Sequence, residues 1–261
     1  MRSRFLIVYQ AWAIPWEVLY IFYNKMKTEK FRFSKRQLLA SGALLTVSSL
    51  TSNTISDRQK AIILGNVLGD GHLQLSPNGK KARLRFTHSM AQEEYVKWQY
   101  KQLESLCTTV KEPYESIGKK GYHECIAYTS YKQELTPYHQ LVYKETGFSK
   151  PKFRKTITSD LTSQLKDPDS LMVWFLDDGT LRPDGNACRI ATQCFNLEEN
   201  ILLQDCLMTN FNIKSGIERW PKDQYGLCIY SRGGHSRKFI KLFAATVIKE
   251  IPSMKYKVNN I

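Results

Sequence analysis

Two apolar runs stand out along the chain, and both end in the same way. The first, residues 63–71, reads Ile-Leu-Gly-Asn-Val-Leu-Gly-Asp-Gly, and the second, residues 171–179, reads Leu-Met-Val-Trp-Phe-Leu-Asp-Asp-Gly. Each is predicted to form a buried helix that closes on an acidic residue followed by glycine, so Asp70 and Asp178 occupy matching positions. A carboxylate at the end of a buried helix is costly unless a cation or hydrogen-bond donors meet it. We therefore expect Asp70 and Asp178 to form a paired site for a divalent metal.

Segments that alternate polar and apolar residues follow each apolar run. Residues 83–88 and 189–193 alternate with a period of two, which is typical of half-buried strands. Residues 122–129 and 225–230 are also strand-like. Each half of the chain is therefore predicted to place strands after its apolar helix.

Further helices are predicted between and after these strands. The N-cap signals are Asp57 for the first apolar helix, Asp167 or Asp169 for the second, Ser89 with Gln92, and Asn196 with Glu199. Closing helices are expected near residues 136–143 and 236–248. The order helix, two strands, helix, two strands, helix is thus predicted twice, which indicates an α+β fold built from two repeats.

The repetition divides the chain into predicted regions. The first repeat covers residues 56–148, a linker covers residues 149–168, and the second repeat covers residues 169–261. Residues 1–55 are expected to be a poorly structured extension. Its aromatic-rich run, residues 5–23, raises the question of a membrane span or a targeting segment, but an internal proline and glutamate disfavour the span. A membrane is therefore not an expected partner.

A basic excess runs through the whole chain. The 261 residues include 38 Lys and Arg against 24 Asp and Glu, and the formal net charge is +14. Residues 1–55 hold only eight of these basic residues and two of the acidic ones, so the excess extends into the predicted repeats. Such an excess over folded regions favours a polyanionic partner, most often nucleic acid.

The cysteine pattern argues against a zinc site. None of the six cysteines forms a C-x-x-C pair, and the five histidines do not cluster with them in the sequence. A basic chain without a clean secretory signal is expected to keep its thiols reduced. We interpret all six cysteines as core packing.

The two apolar runs resemble the paired motifs of the LAGLIDADG homing endonucleases, with Asp70 and Asp178 at the eighth position of each motif. The resemblance covers about residues 57–258 and is to the two-repeat, monomeric members, such as the omega-type enzyme of yeast mitochondrial introns. It implies two pseudo-symmetric αββαββα repeats. In that arrangement the motif helices pair at the centre, and a curved antiparallel sheet binds DNA.

The two motifs differ in the residues that should let the helices approach. Gly65 and Gly69 give the first helix a face without side chains, whereas the second motif has Val173 in place of a small residue and Asp177 in place of the glycine. Asp177 could support a metal ligand or be an ordinary helix-end carboxylate. We favour the helix-end carboxylate.

The resemblance also implies the chemistry of the site. Two carboxylates that share divalent cations can activate water and neutralise charge at phosphorus, and oxygen ligands favour Mg²⁺ over zinc. The predicted catalytic set is Asp70, Asp178, Lys155, Lys257 and Gln193, with the two aspartates as metal ligands. We interpret Lys255 as a solvated surface lysine and keep His72 outside the metal shell.

The predicted strands supply a surface that can read DNA. Arginine pairs with the edge of guanine and glutamine with that of adenine, so a polar sheet face fits a major groove. The predicted DNA-binding residues are Gln74, Arg83, Arg85, Arg182, Arg189 and Gln193, with Arg219 and Lys222 as further candidates.

The leading functional hypothesis is a site-specific, Mg²⁺-dependent double-strand DNA endonuclease of a mobile intron. Two non-identical repeats in one chain predict a monomer and a long asymmetric target site. The alternatives are an RNA-binding maturase that assists splicing of its intron, and a DNA-binding regulator that has lost cleavage. The compartment is expected to be a mitochondrion or plastid if the gene is organelle-encoded, and otherwise bacterial or archaeal cytoplasm.

Overall fold

A computed structural model describes residues 55–108, 110–118, 121–149, 151–182 and 187–259. The predicted extension, apart from its last residue, lies outside these described residues. Within them, no helix combines the length and the apolar character needed to cross a bilayer.

The first repeat has the predicted order of elements. They are α1 (Asp57–Leu68), β1 (His72–Leu75), β2 (Ala82–Ser89), α2 (Glu93–Gln102), β3 (Tyr114–Ile117), β4 (His123–Tyr128) and α3 (Thr136–Val142). The four strands form one antiparallel sheet in the order β1-β2-β4-β3. A helix therefore precedes each hairpin, and a third helix closes the repeat.

The segment after the first repeat is ordered. β5 (Tyr143–Glu145) and β6 (Phe153–Lys155) pair as an antiparallel hairpin, and α4 (Ser159–Gln164) follows. The predicted linker thus includes a strand and a helix. Lys155 is the last residue of β6, so the hairpin fixes its backbone.

The second repeat uses the same topology. Its elements are α5 (Pro168–Asp178), β7 (Gly179–Leu181), β8 (Ala187–Ile190), α6 (Leu197–Phe211), β9 (Gly216–Trp220), β10 (Gln224–Tyr230), α7 (His235–Lys241) and α8 (Ala244–Glu250). The antiparallel sheet has the order β7-β8-β10-β9, which matches the first sheet strand for strand. The predicted αββαββα duplication is confirmed, except that Leu242 and Phe243 break the closing helix in two.

Several helix ends and one strand differ from the sequence predictions. Ser56, not Asp57, caps α1 in a capping box with Gln59. Ser89 makes no side-chain cap, because a 3₁₀ turn at Met90–Gln92 separates it from α2. β8 ends at Ile190, so residues 191–193 lie beyond it. The caps at Asp167 and at Asn196 with Glu199 are confirmed.

The motif helices α1 and α5 pack directly against each other, and the two departures in the second motif explain how. A Cβ on Gly65 would lie 2.7 Å from Cβ of Val173, and a Cβ on Gly69 would lie 2.6 Å from Cβ of Asp177. Val173 and Asp177 therefore fill the spaces that the two glycines leave open. This contact brings the carboxyl ends of both motif helices together.

Each sheet buries one face and leaves the other accessible. In β2, Leu84 and Phe86 are buried, whereas Arg83, Arg85 and Thr87 are half-buried on the opposite face, as predicted. In the second repeat, Phe239 of α7 contacts Phe175 of α5, with ring centroids 5.4 Å apart. The closing helix therefore packs on the side of the motif helix.

Five of the six cysteines are buried in the core, which agrees with the packing interpretation. Cys194 is exposed, so the prediction is wrong for this residue. It follows β8 in the turn that Phe195 N closes on Thr192 O at 3.0 Å. The neighbouring Phe195 is buried in the core at this turn, whereas Cys194 is exposed to solvent.

Candidate active site

Asp70 and Asp178 converge at the ends of α1 and α5. Asp70 follows the C-cap of α1 with its side chain 54% exposed, and Asp178 is the last residue of α5. Partial burial and repulsion from Asp177 raise the pKa of Asp70. Burial, with repulsion from Asp70 and Asp177, raises the pKa of Asp178 to about 7. The acids are thus close enough to oppose each other's ionisation.

A half-buried lysine lies at the carboxyl end of each motif helix. Lys155 Nζ donates to Gly69 O at 2.6 Å. Lys257 Nζ donates to Leu176 O at 2.7 Å and to Gly179 O at 2.9 Å. Burial lowers the pKa of both lysines, and the nearby acidic groups only partly oppose this effect. Both predicted catalytic lysines are therefore brought to the motif aspartates.

Asp177 is not an ordinary helix-end carboxylate, and that interpretation is wrong. Its side chain is completely buried, with 0% exposure. Its Oδ2 accepts from the backbone N–H of Asp70 at 3.1 Å, and its Oδ1 accepts from the hydroxyl of Tyr95 at 2.8 Å. His88 Nε2 lies 3.4 Å from the same Oδ1. We call Asp177, Tyr95 and His88 the Asp177 cluster.

His88 links the Asp177 cluster to the first motif aspartate. Its Nδ1 lies 4.0 Å from Asp70 Oδ2, while its ring packs 4.9 Å from that of Tyr95, measured between centroids. Burial by itself would lower the pKa of His88, but the attraction of the imidazolium to the Asp177 and Asp70 carboxylates outweighs burial and raises that pKa. Neither His88 nor Tyr95 was predicted, because each lies in an ordinary-looking strand or helix of the first repeat.

Each lysine segment is held by a glutamate of the opposite repeat. Glu199 of α6 accepts from Ile157 N at 3.2 Å and lies 3.3 Å from Arg154, next to Lys155. Glu94 of α2 accepts from Ser253 N at 2.8 Å, in the 3₁₀ segment that carries Lys257. The two glutamates are the second members of the Glu-Glu pairs that open α2 and α6. Their shared position in the repeats is the sequence signal that could have found them.

Gln193 lies two residues beyond a backbone contact with the second aspartate. Ala191 N donates to Asp178 O at 3.0 Å, and Gln193 follows two residues later. Its side chain is half-buried. Lys255 is exposed, in agreement with the surface interpretation, and His72 Nδ1 lies 2.9 Å from the hydroxyl of Tyr143. The structure thus gives His72 a partner outside the acidic centre.

The open face of the first sheet carries the predicted basic residues. Arg83 Nε donates to Gln74 Oε1 at 3.0 Å, across the β1-β2 pair. The Arg83 guanidinium also stacks on the rings of Tyr128 and Tyr131, 4.4 and 4.8 Å from their centroids. In the described part of the chain, Arg85 Nε is buried without a hydrogen-bond partner. Arg83 is therefore fixed in place, whereas the Nε donor of Arg85 is not used within the described residues.

The second sheet differs from the first in its charge. Arg189 Nε lies 2.9 Å from Glu218 Oε2, so the glutamate partly neutralises the charge of this arginine. Arg219 pairs with Asp223 and is exposed at the end of the hairpin, where Lys222 adopts a positive φ of 64°. Arg182 follows β7, and its N–H donates to Ala187 O at 2.9 Å. The two open faces consequently present different patterns of donors.

Both motif helices fall within one family match. The model of the LAGLIDADG DNA endonuclease family matches residues 60–239, from α1 into α7, and so includes both motif helices. The chain belongs to the LAGLIDADG DNA endonuclease family. The resemblance seen in the sequence is therefore confirmed.

Curated relatives of this LAGLIDADG protein include an endonuclease and a maturase. DNA endonuclease I-ChuI of Chlamydomonas applanata is 26% identical over 219 residues, which cover 79% of this chain and 97% of that protein. Cytochrome b mRNA maturase bI2 of Saccharomyces cerevisiae is 28% identical over 206 residues, which cover 77% of this chain. Those residues are 47% of the maturase, so the chain spans about half of its length.

A solved structure supports the LAGLIDADG fold. The homing endonuclease I-WcaI bound to its DNA recognition sequence matches with a TM-score of 0.64 and 22% identity. The match covers 90% of this chain and 96% of that one. The likeness therefore extends over both repeats.

The two motif aspartates fit a hard divalent cation whose remaining ligands would be water and the phosphate of the substrate. Among the described residues, no three His, Cys, Asp or Glu side chains are grouped so that they could hold a metal by themselves. Asp70 and Asp178 offer carboxylate oxygens that repel each other. The nearby lysines donate their hydrogen bonds to backbone carbonyls and not to these carboxylates, so a cation would relieve the repulsion. Mg²⁺ is commonly bound by one or two carboxylates, with water and phosphate completing its shell.

Proposed function

We propose that this chain is a site-specific homing endonuclease of a mobile intron that hydrolyses both strands of double-stranded DNA. The observation that carries the proposal is the convergence of Asp70 and Asp178 at the ends of two packed helices, each end with its own half-buried lysine. A duplex has two scissile strands, and one aspartate with one lysine is available for each. The family membership and the similarity to I-ChuI support the same activity.

The reaction needs a nucleophile, neutralisation of phosphate charge and stabilisation of the leaving oxygen. Mg²⁺ held by Asp70 and Asp178 would activate water and neutralise the developing charge. Lys155 and Lys257 add fixed positive charge beside the two acids, where little solvent screens it. Their bonds to backbone carbonyls orient both ammonium groups before DNA binds.

Recognition follows from the two unlike sheet faces. The first presents Gln74, Arg83 and Arg85, and the second presents Arg189 beside Glu218, with Arg182 and Gln193 after the neighbouring strands. Glutamine and arginine can read base edges in the major groove. Since the two faces belong to one chain, a monomer would bind a long asymmetric site.

The test is cleavage of duplex DNA that carries the joined exons flanking this gene. The control is the same DNA interrupted by the intron, and each is incubated with Mg²⁺ or with EDTA. Both strands of the joined-exon DNA should be cut at one position with Mg²⁺ only, and the control should remain intact. Binding of the joined-exon DNA without any cutting would instead support a regulator that has lost cleavage.

A second function, RNA binding as a maturase, is favoured by a basic surface outside the open sheet faces. This α7 surface consists of the exposed residues Arg232, Arg237, Lys238, Lys241 and Lys249. The sequence has no acidic residue between Asp223 and Glu250, and the corresponding helix α3 contains no lysine or arginine. The similarity to the bI2 maturase points the same way. Unlike the open sheet faces, which both repeats have, the basic α7 surface is not repeated on helix α3 of the first repeat.

Charge reversal on the α7 surface tests this second function. Arg237→Glu with Lys241→Glu should weaken binding of the intron RNA but leave cleavage of the joined-exon DNA unchanged. The control variant, Lys101→Glu with Lys111→Glu, reverses two exposed charges in the first repeat. Equal RNA binding by both double variants would contradict a role for the α7 surface.

A further inference from the structure

The surroundings of Asp70 and Asp178 are not equivalent, although the repeats share a topology. The residue before the motif aspartate is Gly69 in the first repeat and Asp177 in the second. The residue after the Glu-Glu pair is Tyr95 in α2 and Asn200 in α6. In the first repeat, Tyr95 donates across the interface to the carboxylate of Asp177. For Asn200 of the second repeat, the residue equivalent to Asp177 is Gly69, which offers no side chain to bond.

Asn200 instead forms its hydrogen bonds within its own repeat. Its Oδ1 accepts from Thr192 Oγ1 at 2.5 Å, and its Nδ2 donates to Phe195 O at 3.1 Å and Asn196 O at 2.9 Å. The pair Thr192–Asn200 therefore occupies the place that His88 and Tyr95 occupy in the first repeat, without reaching the other motif helix. Among the described residues, the buried carboxylate of Asp177 therefore contacts the Asp70 centre, and the Asp178 centre has no equivalent of it.

The backbone explains why the Asp70 centre needs outside support. α1 ends at Leu68, and Gly69 has φ −91° and ψ −138°, which is not helical. The Asp70 N–H has therefore left the helical ladder, and it donates to Asp177 Oδ2. By contrast, α5 continues through Asp178, and Gly179 N donates to Phe175 O. The peptide that carries Asp178 is held by its own helix.

We propose that the Asp177 cluster is a positioning device for Asp70 alone, so that the two cleavage centres depend on different residues. Asp177 restores the hydrogen bond that Asp70 loses where α1 ends, and Tyr95 with His88 holds the carboxylate in place. Disturbing the cluster should slow cleavage of one DNA strand and spare the other. The strand effect rests on the proposed endonuclease function, whereas the backbone effect does not.

Hydrogen–deuterium exchange of the metal-free protein tests the backbone effect without any catalysis. The Asp70 amide should exchange at least about tenfold faster in Asp177→Ala than in wild type, because its acceptor is gone. Asp177→Asn keeps an amide oxygen that can accept and should restore most of the protection. The Asp178 amide should keep its wild-type rate in both variants. An unchanged Asp70 rate in Asp177→Ala, or equal acceleration at Asp70 and Asp178, would overturn the positioning role.

Single-turnover cleavage of DNA labelled on each strand tests the strand effect. Tyr95→Phe removes one hydroxyl from the Asp177 cluster and should slow one strand about tenfold more than the other, so that nicked DNA accumulates. Thr192→Val removes one hydroxyl at the matching place in the second repeat and should keep the wild-type ratio of strand rates. Equal slowing of both strands by Tyr95→Phe would overturn the inference.

The two experiments separate failure of the inference from failure of the proposed function. If the wild-type protein cuts no DNA, the endonuclease proposal fails, and hydrogen exchange still decides whether Asp177 holds Asp70. If the wild type cuts and the strand ratio is insensitive to Tyr95→Phe, the endonuclease proposal stands and the asymmetry is wrong. His88→Gln provides a second variant of the cluster if Tyr95→Phe lowers the unfolding temperature too far.

Discussion

Asp177 occupies the space beside Gly69 and bonds the peptide of the next residue. A Cβ at Gly69 would lie 2.6 Å from Cβ of Asp177, and the Asp177 carboxylate accepts the N–H of Asp70 at 3.1 Å. The departure of the second motif from the small-residue pattern is therefore complementary to the glycine of the first. A steric fit and a hydrogen bond at one contact connect the helix packing to the active site.

Gly69→Ala should destabilise the protein through this contact. Overpacking of a close helix interface typically costs about 1–3 kcal/mol in the free energy of unfolding, which urea denaturation measures. The same substitution in an Asp177→Gly background should cost clearly less, because the opposing side chain is absent. Equal costs in the two backgrounds would show that Gly69 is needed for another reason.

Lys155→Met should reduce cleavage strongly, since the substitution removes a half-buried charge beside the two acids. Loss of one such fixed charge from an active site costs about 10²–10³-fold in rate. Lys255→Met removes an exposed lysine and should leave the single-turnover rate near that of wild type. Comparable losses in both variants would point to a general effect of charge on DNA binding.

The contribution of Asp178 to the stability of the metal-free protein should fall as the pH rises from about 4 to about 7. An unfolded aspartate titrates near 3.9, whereas burial and repulsion from Asp70 and Asp177 raise the pKa of folded Asp178 to about 7. The folded state therefore favours the protonated carboxyl of Asp178. The stability that this group contributes is fully present below the unfolded pKa and is lost as the pH rises from about 4 to about 7. Urea denaturation in EDTA should show that the free energy of unfolding of Asp178→Asn increases relative to that of the wild type as the pH rises through this range. A difference between wild type and Asp178→Asn that does not vary with pH would contradict this assignment.

Arg85→Ala should weaken binding of the target DNA more than Arg219→Ala does. Arg85 has a buried Nε without a hydrogen-bond partner among the described residues, whereas Arg219 already pairs with Asp223. Loss of a base-reading arginine costs about 1–3 kcal/mol and relaxes the preference at one base pair. Binding titrations with single-base variants of the target measure both effects. A uniform loss across all target variants would assign Arg85 to the phosphate backbone instead.

The sequence predicted those features that short patterns determine. The two motif helices and the paired aspartates follow from local patterns, whereas the segments of Lys155 and Lys257 were expected from the family resemblance. The structure brings these residues together. The double order of elements was also predictable, because each repeat shows its own alternation of helix and strand signals.

Features that depend on contacts between the repeats were not predictable in the same way. Asp177 looks like any helix-end acid until Gly69 and Tyr95 are placed beside it from the other repeat. Glu94 and Glu199 likewise acquire their partners only when each meets the opposite lysine segment. The capping error at Asp57 has a local cause, since the adjacent Ser56 forms the capping box with Gln59.

The most direct test of the proposed active site is strand-resolved cleavage of joined-exon DNA by Asp70→Asn and Asp178→Asn, each folded as judged by its unfolding temperature. Both substitutions keep the side-chain size and remove the metal-binding charge. We predict that the wild type cuts both strands with Mg²⁺ and that neither variant makes the double-strand break, while both still bind the target. Double-strand cutting that survives in either variant would contradict the placement of the active site at these two aspartates.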